Sequence, residues 1–88
     1  MDQIKIGAFI AELRKEHNMT QLNLAEKLGV TDRAISKWEN GRGLPDVSLM
    51  KPLCEILGIT VTELLNGERA SETENINKVE ETVYEVLT

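Results

Sequence analysis

Aromatic side chains are almost missing from this chain: one Phe, one Trp and one Tyr among 88 residues. A core has to be aliphatic, with Phe9 and Trp38 as its two large anchors. The single cysteine, Cys54, rules out an internal disulfide and fits a reducing cytoplasm. Placed in the apolar run around Leu53 and Ile56, it reads as a buried small hydrophobe rather than a reactive thiol. The single histidine, His17, leaves no metal-binding cluster, and its position suits a surface residue at a helix C-terminus. No apolar run is long enough to span a membrane, and no signal-peptide pattern opens the chain. Partnered catalytic groups are lacking too. The carboxylates are scattered over helix faces, and Gly41-Arg42-Gly43 has neither the lysine nor the spacing of a phosphate-cradling loop. The chain therefore reads as non-enzymatic, with no cofactor, metal or small-molecule ligand indicated.

A basic excess is also missing. The formal net charge is −5, where a nucleic-acid-binding domain is usually basic. The imbalance is uneven along the chain. Residues 1–67 carry 8 Lys and Arg against 9 Asp and Glu, while residues 68–88 carry 2 against 6. Most of the acidity thus belongs to the end of the chain, and Arg33, Lys37 and Arg42 are left clustered in the middle. A local basic face on a near-neutral domain is enough to engage phosphates.

What is present is a succession of helical periodicities broken by capping residues. Asp2 or Gln3 opens a first helix with Ile6, Phe9, Ile10 and Leu13 on its inward face, and Asn18 suits a left-handed cap. Thr20 caps a second helix whose stripe is Leu24 and Leu28, with Ala25 small enough for a close helix crossing. Gly29 ends it in the left-handed conformation that glycine adopts freely. Val30 fills the corner, and Thr31 caps a third helix with Ile35 and Trp38 inward and Asp32, Arg33, Ser36 and Lys37 outward. Trp38, four past Ala34 and three past Ile35, belongs to the core rather than to a stacking surface. Asp46, after the Gly41–Pro45 loop, caps a fourth helix, Val47–Leu57, with Leu49, Leu53, Ile56 and Leu57 facing the core. Pro52 either falls in the first turn of a helix that begins near Leu49 or bends the helix. Gly58 stops this element. Thr60 and Glu63 form a capping box for a short fifth helix that closes at Asn66-Gly67.

Two short helices joined by a glycine-bearing turn, the second with a polar outer face, make a helix-turn-helix, here over residues 21–40. The chain resembles the Cro/C1-type helix-turn-helix domains, or XRE family, of phage and bacterial repressors. The resemblance is carried by LRKE at Leu13–Glu16, TQLNLAEKLGV at Thr20–Val30, AISKWENGRGLPD at Ala34–Asp46 and LGITVTELL at Leu57–Leu65. It implies an all-α, five-helix, lambda-repressor-like domain over residues 1–67, acting on double-stranded operator DNA as a cytoplasmic transcriptional regulator, and by family habit a repressor. The competing reading is a protein-interaction module on the same fold, antitoxin-like or adaptor, which the overall acidity favours and the central cations oppose.

The same resemblance implies site residues. Asp32, Arg33 and Lys37 match positions that reach bases, with Thr31 and Ser36 on the same face. Arg33 can offer a bidentate fork to guanine O6 and N7, and Lys37 can reach those acceptors or a phosphate. Asp32 stands where phage repressors often carry an amide. It can accept from a cytosine amino group, hold Arg33, or serve only the helix dipole. Gln21 matches a glutamine that bridges a phosphate and the recognition helix, and Thr20, Asn40 and Arg42 match phosphate contacts, which set register without reading sequence. Arg14 and Glu39 match a structural ion pair between the first helix and the end of the third.

Beyond Gly67 the sequence changes character. Residues 68–74, ERASETE, read as a polar linker. From Asn75, the apolar residues Ile76, Val79, Val83 and Val86 recur at spacings of three and four, the pattern of a short amphipathic helix over 75–88. Three uses compete for it: packing back on the domain, pairing with a second subunit, or disorder. A two-fold operator needs two recognition helices about 34 Å apart. The expectation is therefore a helix that contributes to a homodimer.

Overall fold

Each helix begins at a residue whose own side chain caps it. The computed structural model describes residues 1–70, and these form five helices: α1 Gln3–Glu16, α2 Gln21–Leu28, α3 Asp32–Glu39, α4 Val47–Leu57 and α5 Val61–Asn66. The Asp2 carboxylate accepts from the Ile4 and Lys5 amides, each at 3.0 Å. The hydroxyls of Thr20, Thr31 and Thr60 accept from the amides three residues on, and Asp46 accepts from Ser48. Such caps satisfy donors that the helix itself cannot, at about 1 kcal/mol each. Thr60 and Glu63 complete a reciprocal box, and the Thr60 and Ala70 amides, donating to the Glu63 carboxylate, hold it below the usual range. Thr20 and Asn23 make a second box, hidden from a search for Glu or Gln at the third position. The Ser48 hydroxyl, and after it the Ser48 amide, hold the Asp46 carboxyl below its usual range.

The amphipathic stripes converge on one aliphatic core. α1 supplies Ile6, Phe9, Ile10 and Leu13; α2 supplies Leu24, Ala25 and Leu28; α3 supplies Ile35 and Trp38. Leu53, Cys54 and Leu57 of α4 and Leu64 of α5 close it. Burial raises the Cys54 thiol pKa, with the Glu63 charge adding to the effect. Leu49 and Ile56, expected to face the core, only pack against its edge, half-buried.

Pro52 lies inside α4, because the Asp46 cap starts the helix at Val47 and not near Leu49. Ser48 and Pro52 both face solvent, where water can take the carbonyl that a fifty-second amide would have satisfied. His17 is exposed, but it is more than a surface residue. Its Nε2 lies 2.9 Å from the Leu57 carbonyl oxygen and closes the C-terminus of α4.

α1 and α3 meet at Gly7, a position the helical periodicity does not mark. A Cβ there would stand 2.0 Å from the Trp38 carbonyl oxygen. The first residues of the stretch read as a linker are tied down: Lys5 pairs with Glu68 at 3.1 Å, Glu16 pairs with Arg69, and the Ala70 amide donates to Glu63 at 2.8 Å. The expected helix over residues 75–88 lies outside the described residues. No helix among the described residues is long and apolar enough to cross a membrane.

Candidate nucleic-acid interface

The turn between α2 and α3 is closed by the Ala25 carbonyl, which accepts from the Gly29 amide at 2.8 Å and the Val30 amide at 3.0 Å. Gly29 is left-handed at φ 79°, and Ala25, buried, lets the two helices approach. Ile35 and Trp38 then fix the rotation of α3 about its axis, since both are sunk in the core. The opposite side of the helix must face water. Asp32, Arg33 and Lys37 are exposed and Ser36 is half-buried.

Arg33, Ser36, Lys37, Asn40 and Arg42 line one shallow concavity of about 340 Å³. Among the described residues none of its three cations has a carboxylate partner, and Asp32 does not pair with Arg33. Thr31 and Asp32, at the start of α3, are outside the lining of the concavity. Thr20 and Gln21 sit at the start of α2, and the Thr20 and Thr31 hydroxyl oxygens accept cap bonds.

Asn40, which the resemblance places at a phosphate, is hydrogen-bonded within its own helix. Its Nδ2 donates to the Ser36 carbonyl at 2.8 Å and to Ser36 Oγ at 3.2 Å, so its amide is used within α3. Two features escaped the pattern reading. Leu22, in the first turn of α2 beside Gln21, is 54% exposed. Gly43 lies directly beneath the Lys37 side chain, with its Cβ position 2.8 Å from Lys37 Cε. The available signal for Gly43 was a second glycine two places after Gly41, at the other side of the loop that closes with Pro45.

Behind this face, Arg14 and Glu39 form a forked pair. Arg14 Nε is 2.7 Å from Glu39 Oε2 and Nη2 is 3.0 Å from Oε1. The side chains are only 11% and 6% exposed. Arg14 Nη1 donates to the Met19 carbonyl at 2.8 Å, and Gln21 Nε2 donates to Glu39 Oε1 at 3.0 Å. One carboxylate therefore joins α1, the start of α2 and the end of α3. The hydrogen bonds that Arg14 donates to Glu39 raise its pKa, against partial desolvation.

A helix-turn-helix family model matches residues 10–64 of this chain. The HTH-type transcriptional activator BcrR of Enterococcus faecalis is 39% identical over 84 aligned positions, with 89% of this chain and 41% of that protein covered. The cryptic phage CTXphi transcriptional repressor RstR of Vibrio cholerae is 29% identical over 73 residues, 83% of this chain and 65% of the other. The chain thus spans less than two thirds of the length of either relative. Among solved structures, the clp gene regulator ClgR of Corynebacterium glutamicum superposes with a TM-score of 0.68 at 25% identity, covering 99% of this chain and 90% of that one.

Proposed function

The chain belongs to the helix-turn-helix family, and on that premise we propose that it is a non-enzymatic transcriptional regulator that inserts α3 into the major groove of an operator. The observation that carries this is the asymmetry of α3. Ile35 and Trp38 lock one side into the core, and the other presents Arg33, Lys37 and the adjoining Arg42 with no carboxylate partner among the described residues.

The roles follow from position. Residues at the start of a recognition helix reach base edges, and the preceding helix crosses the backbone. Arg33, second in α3, presents its guanidinium fork to guanine, with Asp32 beside it able to accept from cytosine. Thr20, Gln21 and Arg42 contact phosphates, and the Glu39 bond orients Gln21 for that task. The sign of regulation depends on where the operator lies relative to the promoter, since the relatives include both an activator and a repressor. Repression by occlusion is the simplest outcome for a domain of this size. The acidity that favours a protein-interaction module belongs mainly to residues 68–88 of the sequence.

Selection of bound duplexes from a random DNA library tests the reading and returns the half-site. Arg33→Ala should then lose about 1–3 kcal/mol on the selected site and relax discrimination at one base position. A selected motif identical for wild type and Arg33→Ala would remove Arg33 from the base-reading set. Binding that ignores salt would point to the interaction-module reading instead.

The protein acts in the cytoplasm as a homodimer on a two-fold site, and the apolar stripe Ile76, Val79, Val83 and Val86 supplies part of the dimer contact. Sedimentation of the full chain should give twice the monomer mass, and a chain ending at Ala70 should give the monomer. Equal masses for the two would exclude the last 18 residues from dimerisation.

A further inference from the structure

The exit from α3 places two cations on one backbone knot. Gly41, left-handed at φ 71°, follows the Asn40 cap, and its amide donates to the Trp38 carbonyl at 3.0 Å. The next amide, of Arg42, donates to the Lys37 carbonyl at 3.0 Å. This pair of bonds is a Schellman closure, and it fastens Arg42 directly to Lys37. Both side chains line the same concavity, and neither has a carboxylate partner among the described residues.

Gly43 has a different reason to be glycine. It is not among the positive-φ residues, so the backbone would accept a side chain. The space is taken by the Lys37 side chain. A Cβ at Gly43 would stand 2.8 Å from Lys37 Cε and 3.5 Å from its Nζ. The lysine therefore lies across the loop that leaves α3, toward Gly43, and not along the first turn of the helix where base edges are read.

We infer that Lys37 and Arg42 together seat one backbone phosphate of the DNA, that Gly43 is the positioning residue that lets Lys37 lie there, and that Lys37 reads no base. This rests on the DNA-binding reading above. Two like charges tied five residues apart repel until an anion sits between them, and a phosphate supplies that anion. An ammonium is a point charge with no planar fork, suited to a phosphate, whereas the fork that matches guanine belongs to Arg33. Sequence discrimination then falls to the first turn of α3, and the exit loop sets register and grip.

The test uses the full chain, the selected duplex and a random-sequence duplex. Lys37→Met should weaken binding to both duplexes by the same factor, roughly fivefold. It should lower the slope of log affinity against log salt by about 0.9, the value for one phosphate contact. The motif selected by Lys37→Met should match that of wild type. Gly43→Ala meets only the far end of a flexible side chain, so its thermal unfolding should match wild type while its affinity falls severalfold. In the Lys37→Met background, the same Gly43→Ala change should be silent. A Lys37→Met protein that loses preference at one base position, or a Gly43→Ala loss that persists in full without Lys37, overturns the assignment. Wild-type protein with no salt-dependent duplex binding would bring down the DNA reading itself, and the seat with it.

Discussion

Gly7→Ala is expected to destabilise the domain by about 2–3 kcal/mol, against the usual direction of that substitution. In an ordinary helix interior, alanine in place of glycine gains roughly 1 kcal/mol, because glycine loses more backbone entropy on folding. Here the new methyl would lie 2.0 Å from the Trp38 carbonyl oxygen and 3.1 Å from that of Glu39. Ordinary non-bonded contact is about 3.5 Å, so α1 and α3 would have to part by more than an ångström. The obstacle is backbone, with no rotamer to yield. Overpacking of a close-packed core costs about 1–3 kcal/mol, and this case sits at the top of that range. Urea unfolding followed by the fluorescence of the lone Trp38 measures it directly. A Gly7→Ala protein more stable than wild type would show that the two helices are not held this closely.

Arg14→Met should cost about 3 kcal/mol, the scale for removing one partner of a buried ion pair. The substitution leaves Glu39 at 6% exposure with only Gln21 as donor, and it orphans the Met19 carbonyl. Glu39→Met should cost a similar amount by stranding the guanidinium. The double variant should recover most of the loss, because two apolar chains of similar volume can fill the space without an uncompensated charge. On the proposed function, operator affinity separates the roles. The double variant should fold yet bind more weakly, since Gln21 has lost the acceptor that holds it. Strictly additive stability losses in the double-mutant cycle would mean that the pair contributes nothing as a pair.

The helices were legible because caps and periodicity agree. Thr20, Thr31, Asp46 and Thr60 each precede an apolar stripe, and each caps the helix it announces. What escaped the reading depends on close approach between elements distant in sequence. Gly7 is one of these: an interior helical glycine signals that something lies against it, but not which carbonyl. The contact of His17 with Leu57 is another, spanning forty residues. Pro52 was visibly awkward, and only the placement of Ser48 and Pro52 on the wet side of α4 resolves it. For the binding face, the rotation of α3 was legible from Ile35 and Trp38. The engagement of Asn40 with Ser36, and of Lys37 with Gly43, was not, because side-chain direction over a loop leaves no periodic trace.

The lengths of the helices carry a consequence for how damage to this protein would be read. They run to 14, 8, 8, 11 and 6 residues, and isolated helices shorter than about 12–15 residues barely persist in water. Of the five described helices only α1 reaches that length, and all of them draw on a single core. Folding is then close to all-or-none, and opening of one element removes the support for the rest. On the proposed function, a lesion in the core and a lesion at the exposed face of α3 would both register as an empty operator. In a cell, a loss of 1–2 kcal/mol would lower the amount of folded protein severalfold without touching the binding face. Phenotype alone therefore does not map the interface; occupancy has to be normalised to the concentration of folded chain.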